Sequence, residues 1–147
     1  MAARADVNRG TLYLHYQDKY NLLDQIIQDY LGQLKSSCIL SKTNQSLFNT
    51  IDSLSAMYNY FHQHKVFYLM LLEKRGAQSF REQLVKMVVE GENWYLGDGS
   101  RSVLKTQFLA NALVGVIEWW LIHEFPLSTE EMAQYTYEMI NHQLKST

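Results

Sequence analysis

The sequence predicts an all-α chain, on three observations. Its 147 residues hold 7 glycines and a single proline, Pro126, too little punctuation for a β-sandwich, which needs turn signals about every 8–12 residues. Apolar residues recur three and four apart over most of the length, the spacing of a helix with one buried face. Helix-capping residues and glycine clusters divide the chain into segments of helix length. Hydrophobic residues make up 47% and charged residues 19%, a globular balance. A chain of this size buries roughly 68–70% of its unfolded surface, so its core needs no covalent staples.

About six helices are predicted after the first twenty residues. Tyr20, Leu23, Ile26, Ile27, Tyr30, Leu31 and Leu34 form the first apolar stripe, and Leu47, Ile51, Leu54, Tyr58 and Phe61 the second. The polar stretches Lys35-Ser36-Ser37 and Ser41 to Gln45 lie between them as a loop within a helical array. Val66 to Leu72, bounded by His64-Lys65 and Lys74-Arg75-Gly76, fits a buried helix or a strand, and its helical neighbours favour helix. Ser79 with Glu82 has the capping-box spacing, and Phe80, Leu84, Met87, Val88 and Trp94 follow on one face. Gly97-Asp98-Gly99-Ser100 ends that helix, with Ser100 as a cap for the next. From Val103 to about His123 the chain is apolar on more than one face, so this helix is expected to be covered on two sides. Pro126 closes the connection, Ser128 and Glu131 form a second capping box, and Met132, Tyr135, Met139, Ile140 and Leu144 line one face of the last helix.

Composition excludes several function classes. A single cysteine, Cys38, leaves no internal disulfide and no multi-thiolate metal site. His62 and His64 are two apart and fall on different helix faces, so no metal is expected there. No uncharged run approaches the ~18 apolar residues that span a bilayer, and Met1 to Asp6 lacks the apolar core of a signal peptide; the expected location is cytoplasmic. No phosphate loop, paired-carboxylate motif or Ser/His/Asp arrangement is present in usable context, so neither enzyme activity nor a cofactor is expected. The formal charge is −2, which argues against wholesale coating of nucleic acid while leaving room for a local contact surface.

The first twenty residues are the most informative. Asn8 is a good N-cap for a helix about two turns long that crowds Tyr13, His15 and Tyr16 behind Gly10 and Thr11. Asp18 can cap the next helix and places Lys19 on its first turn, where a cation is mildly unfavourable against the helix dipole. A phosphate group would supply the reason for it, since a helix N-terminus and a nearby ammonium make an anion site. Gly10 would let a backbone approach DNA closely, while Thr11, Tyr13 and His15 offer groups to phosphates or base edges.

The run Ala5-Asp6-Val7-Asn8-Arg9-Gly10-Thr11-Leu12-Tyr13-Leu14-His15-Tyr16, followed by Asp18-Lys19, resembles the end of the helix-turn-helix in the tetracycline-repressor (TetR) family of transcriptional regulators. The resemblance implies a recognition helix from Asn8 to about Tyr16, with Arg9, Thr11, Tyr13, His15 and Lys19 facing DNA. It also implies a DNA-reading remnant over residues 1–19 and a helical effector-binding and dimerisation domain over 20–147. The expected function is ligand-controlled DNA binding, as a repressor. A helix-turn-helix is braced by a helix before it, and Met1 to Arg4 supply only the last turn of one. The chain is therefore expected to be truncated at its N-terminus and to bind operator DNA poorly. Residues 1–42 carry net charge +1 and the remainder −3, so the basic side lies at that end. The alternative is a dimeric helical module that senses or signals through proteins without touching DNA, or an activator-type family member that works by contacting other proteins.

Met57, Tyr58, Phe61, Tyr68, Met87 and Trp94 could line an apolar pocket for a small-molecule effector, although their spacing is equally that of ordinary core. Trp119 and Trp120 point about 100° apart on a helix, so one is expected in the core and the other at an interface. A homodimer is expected through the last two helices, with Phe108, Ala112, Val116, Trp119, Trp120, Tyr135 and Met139 as the interface candidates.

Overall fold

In the computed structural model, the described residues are 21–37, 50–73, 76–91 and 99–145. Among them are six helices and no strand: α1 (residues 21–37), α2 (Ile51–Gln63), α3 (Lys65–Glu73), α4 (Ala77–Gly91), α5 (Ser100–Ile122) and α6 (Thr129–Lys145). The expected segmentation is thus observed over these residues, including the helical form of Val66 to Leu72.

The helix ends follow local chemistry, and two differ from expectation. Thr50 caps α2, its Oγ1 accepting from the Ser53 N–H at 3.1 Å. At α6 the Ser128–Glu131 capping box forms in both directions: the Glu131 N–H donates to Ser128 Oγ at 3.1 Å and the Ser128 N–H to Glu131 Oε1 at 3.2 Å. Ser79, by contrast, does not cap α4. That helix already begins at Ala77, with the Phe80 N–H bonded to the Gly76 carbonyl at 2.9 Å, and Ser79 Oγ is free to donate to Asp24 Oδ1 on α1 at 2.5 Å. Nor does Ser100 cap α5: Gly99 occupies the cap with φ of 106°, a conformation open to glycine and costly for other residues.

The connection from α5 to α6 is a Schellman motif built without glycine. Glu124 and Phe125 sit at φ of 57° and 61°. The Phe125 N–H bonds to the Trp120 carbonyl at 2.9 Å and the Glu124 N–H to the Leu121 carbonyl at 3.2 Å, the 6→1 and 5→2 bonds of that motif. The accompanying apolar contact is Phe125 on Trp120, ring centroids 4.7 Å apart. Trp120 Nε1–H then donates to the Leu127 carbonyl at 2.8 Å, tying the incoming strap to the helix it has just left.

α2 packs on α6, α4 on α5, and α3 against both α4 and α5. The core so formed holds Ile27, Leu31 and Leu34 of α1, Leu54, Met57, Tyr58 and Phe61 of α2, Tyr68 and Leu71 of α3, Phe80, Leu84 and Val88 of α4, Leu113, Ile117 and Trp120 of α5, and Met132, Ala133 and Ile140 of α6. The apolar residues of α6 do not share one face as expected. Met132 and Ile140 turn inward with Ala133 and Thr136, whereas Tyr135 and Met139 turn outward.

Candidate functional site

Two features stand apart from ordinary packing. The first is an aromatic cluster where α1, α2, α3 and α4 converge. Tyr30 stacks on Phe67 with centroids 3.9 Å apart and planes 8° from parallel. Tyr68 lies edge-on to Phe61 at 4.8 Å and tilted against Phe80 at 5.3 Å. The Tyr60 hydroxyl donates to the Tyr30 carbonyl at 2.6 Å, so its proton is committed. The Tyr68 hydroxyl, fully buried, has no hydrogen-bond partner. Burial, reinforced by Tyr60, pushes it far above the usual tyrosine range. A polar chain runs along α4 toward α1: Gln83 Nε2 donates to Ser79 Oγ at 2.9 Å, and Ser79 donates to Asp24. The Gln83 Oε1 is likewise buried without a partner. Unpaired buried polar atoms are uncommon, because each forfeits about 1–3 kcal/mol of hydration.

Of the residues expected to line an effector pocket, Met57, Tyr58, Phe61 and Tyr68 are fully buried in this core, and Met87 is half-buried against it. Trp94 lies outside the described residues. Tyr58 is anchored rather than poised: its hydroxyl shares a 2.8 Å hydrogen bond with Thr136 Oγ1 of α6, and burial raises its pKa well above the ordinary value.

The second feature is the outward face of α5 and α6. Phe108 is 60% exposed, Met139 58%, Tyr135 45% and Trp119 43%, and Leu104 and Ile122 extend the same stripe along α5. Between the two helices runs an apolar groove of about 420 Å³ lined by Phe108, Leu109, Ala112, Leu113, Val116, Thr136, Met139 and Ile140, with Glu138, His142 and Gln143 at the α6 side. Four of the interface candidates, Phe108, Ala112, Val116 and Met139, line this groove, and Trp119 and Tyr135 are exposed on the same two helices. Trp120 is not among them. It is fully buried, edge-on to Tyr58 at 5.2 Å, because the 100° step from Trp119 carries it to the core side of the helix.

The sequence reading missed an ion pair. Glu118 is 7% exposed, and Arg81 of α4 reaches it with both arms of its fork, Nε to Oε1 at 2.8 Å and Nη2 to Oε2 at 2.6 Å. A lone carboxylate within the otherwise apolar run Val114 to Leu121 was the available signal. The positions expected to read DNA, Asn8, Arg9, Gly10, Thr11, Tyr13, His15 and Lys19, lie outside the described residues. Among those described, no group of His, Cys, Asp and Glu is placed to hold a metal ion, and no helix is long and apolar enough to cross a membrane. His62 and His64 are separately engaged, His62 against Phe125 at 4.8 Å and His64 against Tyr60 at 4.4 Å.

Comparison with known proteins bears on residues 49–142, which match a TetR-type family model (TetR_C_8) described as a transcriptional regulator C-terminal region. The chain is also 20% identical over 146 residues to an uncharacterised HTH-type transcriptional regulator, YxbF, of Bacillus subtilis (strain 168). That alignment covers 96% of this chain and 38% of the relative, so the chain spans well under half of that protein's length. No solved structure matches the chain.

Proposed function

Because the chain belongs to the TetR family of transcriptional regulators, as the match over residues 49–142 shows, we propose that it is the dimerising and effector-sensing part of a DNA-binding repressor. Residues 1–19 would supply the DNA-reading segment and 20–147 the helical domain. The observation that carries the reading is the exposed apolar face of α5 and α6, with Phe108, Trp119, Tyr135 and Met139 about half open to solvent and Phe108 and Met139 lining the groove between the helices. Contiguous apolar area of that kind marks a partner surface, and a second copy suits a two-fold-symmetric operator.

Effector control rests on a separate observation. The unpaired Tyr68 hydroxyl sits in the core that holds Met57, Tyr58 and Phe61, and the Gln83 carbonyl oxygen on α4 is a second buried polar atom without a partner. A largely apolar ligand with a hydrogen-bond donor would satisfy them on entering. Such a ligand binds the folded state alone and raises the unfolding temperature with the logarithm of one plus its concentration over its Kd.

The experiment pairs two measurements. Electrophoretic mobility shift with DNA upstream of the gene compares this chain with a form carrying a complete helix-turn-helix; salt-sensitive binding by the longer form and weak binding by the 147 residues is the expected result. A thermal-shift screen of small apolar amines and alcohols, repeated on Tyr68→Phe, tests the effector site. Absence of DNA binding by the longer form would favour a sensing module that acts through proteins.

A further inference from the structure

A hydrogen-bond chain through three half-buried side chains joins α1 to α4, and its direction is set from one end. A carboxylate can only accept, so Asp24 of α1 takes the single hydroxyl proton of Ser79, at 2.5 Å. With that proton given away, Ser79 Oγ can only accept from Gln83. The Gln83 carboxamide accordingly presents its nitrogen to Ser79, at 2.9 Å, and turns its oxygen away. That oxygen is buried without a partner. Its unpaired state follows from the charge at the far end of the chain.

The opposite orientation excludes this one. With the carboxamide turned over, Ser79 would donate to Gln83 Oε1, and Asp24 would lose the only proton that Ser79 has to give. Elsewhere on α4, Gln78 Nε2 donates to Glu82 Oε1 at 3.0 Å in the same sense, but on the exposed side, where water meets the oxygen left over. Burial at Gln83 removes that remedy, so a buried donor is what completes the chain. The Tyr68 hydroxyl, the other unpaired buried group, can donate or accept and so imposes no polarity of its own.

We propose that Asp24, acting through Ser79, sets the ligand specificity of the effector site: by holding the Gln83 carboxamide with its oxygen free, it admits apolar molecules that bear a hydroxyl or N–H group and rejects those whose only polar atom is a carbonyl or ether oxygen. This rests on the reading of Gln83 Oε1 as part of that site. A buried acceptor discriminates because a ligand without a donor leaves it unpaired, and a ligand oxygen placed against it adds repulsion between lone pairs. Asp24 is a positioning residue, since it acts on the ligand only through the proton it takes from Ser79. The dependence is reciprocal: a donor on the ligand fixes the amide and with it the bond from Ser79 to Asp24, which ties α4 to α1.

Thermal-shift titration of the whole chain with three probes tests this: indole, which only donates; indene, of the same shape without the N–H; and acetophenone, which only accepts. On the wild type, indole should bind about five- to tenfold tighter than indene, the gain of one hydrogen bond to a buried acceptor, and acetophenone no tighter than indene. In Asp24→Asn the new carboxamide can donate as well as accept, so the chain can run either way. Acetophenone should then gain severalfold and the lead of indole should shrink. Ser79→Ala cuts the chain and should erase the preference, with Asp24→Asn adding nothing on that background; it also decides the matter if Asp24→Asn alone does not fold. Gln83→Met should bind indole and indene alike. Equal weakening of all three probes in Asp24→Asn and in Ser79→Ala would mean a structural role only and overturn the proposal. A lead of indole that survives Gln83→Met assigns the polarity to Tyr68 and overturns it as well, leaving the effector reading intact. No shift of the wild type by any probe overturns the effector reading and the proposal with it.

Discussion

Arg81 and Glu118 join α4 to α5 by a two-pronged ion pair, at 2.8 and 2.6 Å, in which the carboxylate is buried and the guanidinium is 61% exposed. The asymmetry decides what each deletion does. Arg81→Ala strands a buried carboxylate and should cost about 1–3 kcal/mol, the range for leaving a buried polar group unpaired. Replacing both partners, as Arg81→Met with Glu118→Leu, should cost less, since no charge is left buried. Urea denaturation of the two variants checks the order; equal losses would show that the pair is held by solvent rather than by the fold.

Tyr58 and Tyr68 are both buried tyrosines of the same core, yet their hydroxyls predict opposite outcomes. Tyr58→Phe leaves Thr136 Oγ1 buried without the bond it now makes at 2.8 Å and should destabilise by about 1–2 kcal/mol. Tyr68→Phe removes a hydroxyl that has no partner and should be neutral or stabilising. Thermal melting of both variants without ligand distinguishes them.

The same burial gives an alkaline limit to stability. Tyr58, Tyr60 and Tyr68 all have pKa values raised above 10.0, chiefly by desolvation. Below pH 10 both folded and unfolded chains keep these protons, and their contribution is fully present. Above it the unfolded chain releases protons that the folded chain retains, so stability falls as pH rises, by about 1.4 kcal/mol per pH unit for each strongly shifted tyrosine. Denaturation midpoints should be level in these groups' terms from pH 7 to 9 and drop beyond 10, less steeply in Tyr68→Phe.

Backbone conformation supplies a further contrast. Gly99 has φ of 106°, and Gly99→Ala should destabilise by about 1–2 kcal/mol. Glu124 carries the left-handed position of the Schellman motif, where Glu124→Gly should stabilise by up to about 1 kcal/mol. Gly32 is exposed within α1 with open space around its Cβ position, so Gly32→Ala should stabilise by about 0.5–1 kcal/mol. Calorimetric unfolding reads all three signs.

Much of the helical array was legible in the sequence, and its limits are physical. Spacing three and four apart located the helices because a helix repeats every 3.6 residues. The Ser128–Glu131 box was readable because its four interacting groups are local. The same motif at Ser79–Glu82 misled, since Ser79 lies two residues inside α4 and its hydroxyl has a better use in reaching Asp24. Likewise the periodicity of α6 could not separate Tyr135 and Met139 from Met132 and Ile140: a stripe of apolar residues records that something covers it, not which neighbour does.

By itself, then, the amino-acid order determined the all-α class, the helix boundaries to within a few residues and, through Asn8 to Lys19, the family resemblance; these depend on contacts between residues close in the chain. Only the tertiary structure decided that Trp120 turns inward while Trp119 remains outside, that Glu118 is matched by Arg81, that Tyr58 meets Thr136 across 78 positions, and that α5 and α6 leave an apolar groove between them. Each of these is a pairing between helices, and helix periodicity constrains which face a residue occupies without stating what lies opposite.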